Sequence, residues 1–243
     1  MSNRVELEAS YYLDKNYNEI LNKIKKENFK KTEEVIEEDT YYTDKDYIFI
    51  KDRICLRTRK VDNDFLELTY KPKTDNKSEK YGKREVNLKL LPEESEDIKY
   101  ILEELGFIQY VSFKKHRIIY SKKMKNVQYN IMIDNINQIG DFIELEILVD
   151  TEKQKEEFHD ELDNFVKRMD CDKLREKEKP YRDIVKDYIN EWKHRIRKYR
   201  YSKNKIIGSR KDLETYKNHP EHIKVSNLCK SIRTDRQAID YEI

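Results

Sequence analysis

Seven stretches of the chain alternate apolar and polar residues with period two, and most of the polar positions are charges. Successive strand side chains point to opposite faces, so such a stretch reads as a half-buried strand. In residues 5–11, Val5, Leu7, Ala9 and Tyr11 oppose Glu6, Glu8 and Ser10. In 54–59, Arg57 and Arg59 share a face. In 65–71, Leu66, Leu68 and Tyr70 oppose Glu67, Thr69 and Lys71. In 84–90, Glu85, Asn87 and Lys89 oppose apolar neighbours, and in 111–120 Lys115 and Arg117 fall together. In 129–134, Asn130, Met132 and Asp134 oppose Tyr129, Ile131 and Ile133. In 142–149, Glu144 and Glu146 oppose Ile143, Leu145, Ile147 and Val149.

Helical spacing appears in four other places. Residues 14–30 carry Tyr17, Ile20, Leu21 and Ile24, with Asp14 as the expected N-cap. Residues 92–105 carry Ile98, Ile101, Leu102 and Leu105, followed by Gly106 as the expected C-terminal cap. Residues 152–169 and 181–199 complete the set. Strands in the majority with helices outside them give an α+β chain built on an antiparallel sheet or barrel. An open sandwich would leave the charged faces to solvent, whereas a curled sheet would enclose them.

Charge makes up 41% of the 243 residues, which raises the question of disorder. The 37% hydrophobic content, with 18 Tyr and 8 Phe and only 4 Gly and 4 Pro, answers it in favour of a folded chain. So many charges need a place outside an apolar core, and a polar-lined cavity supplies one. Their distribution supports that choice. The first and last strands are acidic, through Glu6, Glu8, Asp134, Glu144 and Glu146, and the middle strands are basic, through Arg57, Arg59, Lys71, Lys115 and Arg117. If the ends of the sheet meet, acids and bases line opposite walls. Arg grips phosphate oxygens bidentately, Lys acts as a point charge, and Mg²⁺ or Mn²⁺ takes a few hard carboxylate oxygens while keeping water. A triphosphate with bound metal fits such walls.

The chain resembles the CYTH superfamily, the triphosphate tunnel metalloenzymes, and within it the class IV adenylyl cyclase branch. The residues that carry the likeness are Glu6-Leu7-Glu8, Asp39-Thr40-Tyr41-Tyr42, Leu56-Arg57-Thr58-Arg59, Leu68-Thr69-Tyr70-Lys71-Pro72, Lys115-His116-Arg117, and Asp134 with Gly140 to Glu146. Arg84-Glu85 and the run from Lys179 to Val185 resemble the cyclase branch in particular. The resemblance spans roughly residues 3–190 and implies an eight-stranded antiparallel tunnel, a closed barrel with a charged interior and flanking helices. It implies Mg²⁺ or Mn²⁺ as cofactor, with Glu6, Glu8, Asp134, Glu144 and Glu146 as ligands or their supports. Arg57, Arg59, Lys71, Lys115 and Arg117 would hold a nucleoside or organic triphosphate, Tyr41 or Tyr42 would assist catalysis, and Ser10, Glu85 and Lys89 would be further tunnel residues.

One position departs from the pattern. The family's first motif is ExExK, and here Ser10 stands in place of the Lys. In some triphosphatases of the family that Lys works with a Tyr to activate water. Cyclisation of ATP and hydrolysis of a triphosphate are the leading expectations. An RNA 5′-triphosphatase and a non-catalytic nucleotide-binding protein are the alternatives.

The remaining signals bound the rest. Residues 191–243 hold 14 Lys and Arg against 7 Asp and Glu, so an expected tunnel domain (1–190) is followed by a basic, mostly helical C-terminal extension (191–243). Residues 193–211 contain nine Lys and Arg and no acid, which suits nucleic-acid phosphates or, equally, the acidic body of this or a second chain in a homodimer. Cys55, Cys171 and Cys229 are far apart and lack metal spacing, His116 falls on the outer face by alternation, and no glycine-rich phosphate loop occurs. With no signal peptide and no long apolar run, the expectation is a cytoplasmic protein that avoids membranes.

Overall fold

The computed structural model describes residues 5–14, 16–62, 64–73, 85–124, 127–149 and 158–203. In chain order the elements are β1 (Val5–Tyr12), α1 (Tyr17–Lys26), β2 (Lys30–Thr43), α2 (Ile48–Lys51), β3 (Cys55–Val61), β4 (Phe65–Lys71), β5 (Val86–Leu90), α3 (Ser95–Glu104), β6 (Ile108–Met124), β7 (Val127–Ile136), β8 (Gly140–Val149), α4 (His159–Arg168) and α5 (Tyr181–Lys203). Short 3-10 turns occupy Pro92–Glu94 and Cys171–Lys173. Among the described residues, no helix is long and apolar enough to cross a membrane.

All eight strands form one sheet in the order β1-β8-β7-β6-β2-β3-β4-β5. Antiparallel ladders set the register. Glu8 faces Glu146 and Ser10 faces Glu144 across β1 and β8, Arg117 faces Asp134 across β6 and β7, and Asp39 faces Arg59 across β2 and β3. The expected closure is not met by pairing: β1 and β5 are the two edges, and no ladder joins them among the described residues.

The apolar core lies on one face of the β1-β8-β7 half. Leu7, Ile131, Ile133, Ile143, Leu145 and Ile147 pack there with Ile20 and Ile24 of α1 and with Leu162, Phe165 and Val166 of α4. The Phe29 and Phe165 rings stack at 5.8 Å, and Tyr129 meets Phe165 edge-on at 5.3 Å. A second cluster on the β2-β3-β4 half joins Tyr42, Leu56 and Leu68 to Ile98 and Leu102 of α3. Period-two alternation therefore sends the apolar side chains outward under helices and leaves the charged side chains on the other face.

Several boundaries differ from the spacing-based expectations. Helix α1 starts after Asn16 rather than Asp14 and ends before position 30. Asn28 takes a left-handed φ of 58°, and Asn28 N and Phe29 N donate to Lys25 O and Ile24 O, closing the helix in a Schellman turn. Gly106, at φ 89°, ends α3 in the same way, as its position implied. Strand β2 and helix α2 had no clear periodic signal. The first five residues of β2 are exposed on both faces, and its buried face begins only at Glu37.

The chain divides into two compact units, Met1–Tyr110 with Lys114–Glu178, and Val111–Phe113 with Lys179–Ile243. In the second unit α5 starts at Tyr181, with Ile184 N donating to Pro180 O. Lys179 Nζ meets Asp187 at 2.7 Å, and the Tyr188 and Trp192 rings meet edge-on at 6.1 Å. Most of the basic run 193–211, and Arg84 and Cys229, lie outside what the structure describes in side-chain detail.

Candidate functional site

Much of the charged face is buried. Lys115, Asp39 and Asp134 are 0% exposed, and Arg57, Arg117 and Glu144 are 9% or less. Burying charge is costly unless it is paired, and here the pairs follow the strand register.

On β2 and β3, Arg59 forks onto Asp39, with Nε to Oδ1 at 2.6 Å and Nη2 to Oδ2 at 2.8 Å. Glu37 sits between Arg59 Nη1 at 3.1 Å and Lys115 Nζ at 2.9 Å. On β6, β7 and β8, Arg117 makes a second fork onto Asp134 with both contacts at 2.6 Å, and its Nη2 also reaches Glu144 Oε2 at 2.6 Å. Arg57 Nη2 donates to Thr69 Oγ1 at 3.2 Å, and its guanidinium lies 5.9 Å from the Tyr41 ring centre. Lys71 meets Glu85 at 2.5 Å.

The acids fall into two electrostatic groups. Burial alone would raise Glu144, yet Arg117, Lys177 and Lys115 outweigh it and hold the carboxyl well below the usual range. Asp39 is held low against burial by Arg59 and Arg57. By contrast, burial, Glu146 and Glu85 push Glu6 up to about 8. Burial also raises Glu146, assisted by Glu8 and opposed by the amide of Asn130, which donates to its Oε2 at 2.7 Å. The influence of Lys71 and Glu85 on Glu6 brings the far side of the sheet within electrostatic reach of β1.

Most of the expected residues therefore share one face. Arg57, Arg59, Lys115, Arg117, Asp134 and Glu144 form the buried network, Lys71 and Glu85 form an adjoining pair, and Glu6 and Glu146 form a desolvated acidic group. Glu8 is exposed on the same face of β1. Among the described residues, no group of three or more His, Cys, Asp or Glu side chains is gathered into a ready metal cage. Asp134 and Glu144 are committed to Arg117.

Two candidates, Tyr42 and Lys89, stand apart. As the neighbour of Tyr41 in a strand, Tyr42 points to the opposite face, into the cluster with Leu56 and Leu102. Lys89 is exposed, with its ammonium 5.4 Å from the Phe65 ring centre. Ser10 is in the site but acts as a short donor, its Oγ 3.3 Å from Glu144 Oε1. His116 lies on the outer face as alternation implied, 2.9 Å from Glu34. Tyr41 is buried, and burial with the nearby Asp39 raises its hydroxyl well above the ordinary value.

Sequence reasoning missed Glu37, Thr69, Asn130 and Lys177 as members of the site. Thr69 and Asn130 were on the charged faces of recognised strands, so alternation alone would have placed them. Glu37 lay in an unrecognised strand. Lys177 lies beyond the last strand and carries no periodic signal.

The chain has known relatives. The family model for the CYTH domain matches residues 4–178. A model for the stress responsive A/B barrel domain matches residues 206–243, outside the described residues. A Methanocaldococcus jannaschii protein named "Putative adenylate cyclase" is 29% identical over 170 residues, covering 70% of this chain and 91% of its own. Among solved structures, a Pyrococcus horikoshii protein superposes with TM-score 0.60 at 24% identity, over 75% of this chain and 99% of that one. A Vibrio parahaemolyticus protein, also described as a "putative adenylate cyclase", does so with TM-score 0.58 at 19% identity, over 74% and 97%. A Hippeastrum protein, described as an adenylyl cyclase candidate with a dominant triphosphatase activity, gives TM-score 0.50 at 12% identity, over 68% and 87%. With the model spanning the whole sheet and its charged face, the chain belongs to the CYTH domain family.

Proposed function

We propose that this chain is a divalent-metal-dependent enzyme acting on a nucleoside or organic triphosphate, held in a tunnel that the curled sheet forms. The observation that carries this reading is the buried charged face itself. A dry core of the same volume would be cheaper, so a face with this many charges is explained by a polyanionic ligand and its cations. The reach of Lys71 and Glu85 to Glu6 supports a tunnel in which the two edges approach.

In this reading Arg57, Arg59, Lys71, Lys115 and Arg117 bind phosphate oxygens. Asp134 and Glu144 aim Arg117, and Asp39 aims Arg59. Glu6, Glu8 and Glu146, hard oxygen donors with few cations of their own, would hold Mg²⁺ or Mn²⁺ once the ion draws them together. Glu8 and Glu146 are cross-strand partners, and like charges so placed repel until a cation joins them. The metal would supply charge neutralisation and, for hydrolysis, a bound water of lowered pKa. Tyr41 keeps its proton and serves as a donor that orients the nucleophile.

Two reactions fit. In cyclisation the ribose 3′-oxygen of ATP attacks the α-phosphorus, the bond to the bridging oxygen breaks and pyrophosphate leaves. In hydrolysis water attacks the terminal phosphorus and orthophosphate is released. The name of the M. jannaschii relative favours the first, and the description of the Hippeastrum protein favours the second. The experiment is chromatographic product analysis with Mg²⁺ and then Mn²⁺ over ATP, GTP, thiamine triphosphate, inorganic triphosphate and 5′-triphosphorylated RNA, with a Glu6→Ala/Glu144→Ala control. Cyclic nucleotide with pyrophosphate identifies a cyclase, and orthophosphate identifies a phosphohydrolase and its substrate. Absence of turnover with every substrate sinks the enzyme reading.

A further inference from the structure

We propose that Lys177 is a phosphate-contacting residue of this site and supplies, from a separate segment of chain, the cation missing at position 10; the inference rests on the triphosphate reading above. After the Cys171–Lys173 turn, the chain runs antiparallel along the free edge of β1. Tyr12 N donates to Arg175 O at 2.9 Å, Tyr11 bridges to Glu176, and Lys177 N donates to Ser10 O at 2.8 Å. In this register Lys177 lies opposite Ser10, and directly opposed residues share a face of the sheet. Ser10 shares its face with Glu6 and Glu8, so Lys177 faces the charged side, while Glu176 points the other way and is exposed.

The side chain confirms the placement that the backbone dictates. Lys177 is 10% exposed, and its ammonium lies 3.7 Å from Glu144 Oε1, the oxygen that also accepts from Ser10 Oγ at 3.3 Å. Ser10 is itself the cross-strand partner of Glu144 on β8. Glu144, Ser10 and Lys177 thus form one row across three adjacent segments. A lysine this buried is normally paired, and the partner of Lys177, Glu144, already has Arg117 closer at 2.6 Å, which leaves the ammonium with capacity for a further anion. The short Ser10 side chain leaves room for a long one to enter from the neighbouring segment. A lysine at 10 and a lysine at 177 would crowd two ammonium groups into one row, so one of the two suffices.

The test titrates diimidotriphosphate, a triphosphate that resists hydrolysis, with Mg²⁺ by calorimetry into wild type, Lys177→Ala, Glu176→Ala and the relocated pair Ser10→Lys/Lys177→Ala. Thermal melting checks that each is folded. Loss of one charge-assisted contact weakens binding about tenfold to a hundredfold in Lys177→Ala. The relocated lysine restores most of it, which a merely structural role for Lys177 would not allow. Glu176→Ala binds as wild type does. Unchanged binding by Lys177→Ala overturns the inference, as does a folded relocated variant as weak as Lys177→Ala, or an equal loss in Glu176→Ala. No binding by wild type overturns the triphosphate reading and this inference together, whereas the other failures leave that reading standing.

Discussion

Glu6 and Glu144 are glutamates on adjacent strands of one face, and their surroundings drive them in opposite directions. Glu144 has Arg117, Lys177 and Lys115 beside it and stays ionised, whereas Glu6 has burial and acids beside it and is pushed up to about 8. Between the ordinary value of 4.5 and about 8, folded Glu6 holds a proton that the unfolded chain has released, so stability falls as pH rises through that window. Glu144, Asp39 and Glu37 have the reverse sign: they stabilise above their ordinary values, and that contribution is lost on acidification. Metal-free protein should therefore melt highest near pH 5 and lower at pH 8, and Glu6→Gln should flatten the decline. An unaltered decline in that variant would show that Glu6 does not titrate there. Arg117 makes the complementary case. Replacing it with Met strands Asp134 and Glu144, and unfolding in urea should show a loss of about 3–5 kcal/mol. Asp134→Asn in the same background should recover part of the loss, because it removes one of the stranded charges.

Within an element, alternation decides which neighbour does chemistry. Tyr41 and Tyr42 are adjacent on β2, but one faces Arg57 and the other packs with Leu56 and Leu102. Tyr41→Phe should lower turnover, while Tyr42→Phe should leave it within about twofold and cost about 1 kcal/mol in unfolding. Steady-state kinetics on both variants checks the pair, and equal losses would contradict the alternation argument. On α4, Phe165→Ala should cost about 3–5 kcal/mol, since its ring is stacked on Phe29 and met by Tyr129, while activity at low temperature persists. The same alternation explains what could be read in advance. Seven strands were legible because Leu7, Ile131, Leu145 and their neighbours recur at period two under helices. β2 was not legible, because Glu33, Glu34, Glu37 and Glu38 load both its faces and half of it is wet. The choice between Tyr41 and Tyr42 needed the register of that strand. Lys177 was hidden because its segment is tied to β1 by only a few backbone bonds, with no repeat to betray it.

For the molecule as a whole, the balance of charge on the charged face matters more than any one pair. Among the described residues, its buried or half-buried cations are Arg57, Arg59, Lys71, Lys115, Arg117 and Lys177. Its carboxylates are Glu6, Glu37, Asp39, Glu67, Glu85, Asp134, Glu144 and Glu146, and they outnumber the cations even with Glu6 protonated. A triphosphate arriving alone meets a face on which carboxylates already offset the cations, with Arg59 and Arg117 held by Asp39 and Asp134. In the proposed reading a divalent cation alone would have to bind at Glu6, Glu8 and Glu146 against the field of the basic wall. Together each neutralises what repels the other, so the two must bind with positive coupling, and by linkage the coupling is reciprocal. Thermal melting with Mn²⁺ alone, inorganic triphosphate alone and both at once measures this directly. Either alone should move the midpoint little. Both, at about a hundredfold above their joint dissociation constant, should add about 3 kcal/mol and raise it by roughly 5–10 °C. A full shift with triphosphate and a chelator present would mean that the basic wall alone suffices, and the acids of β1 and β8 would then have to be read as structural partners of the arginines rather than as a seat for metal.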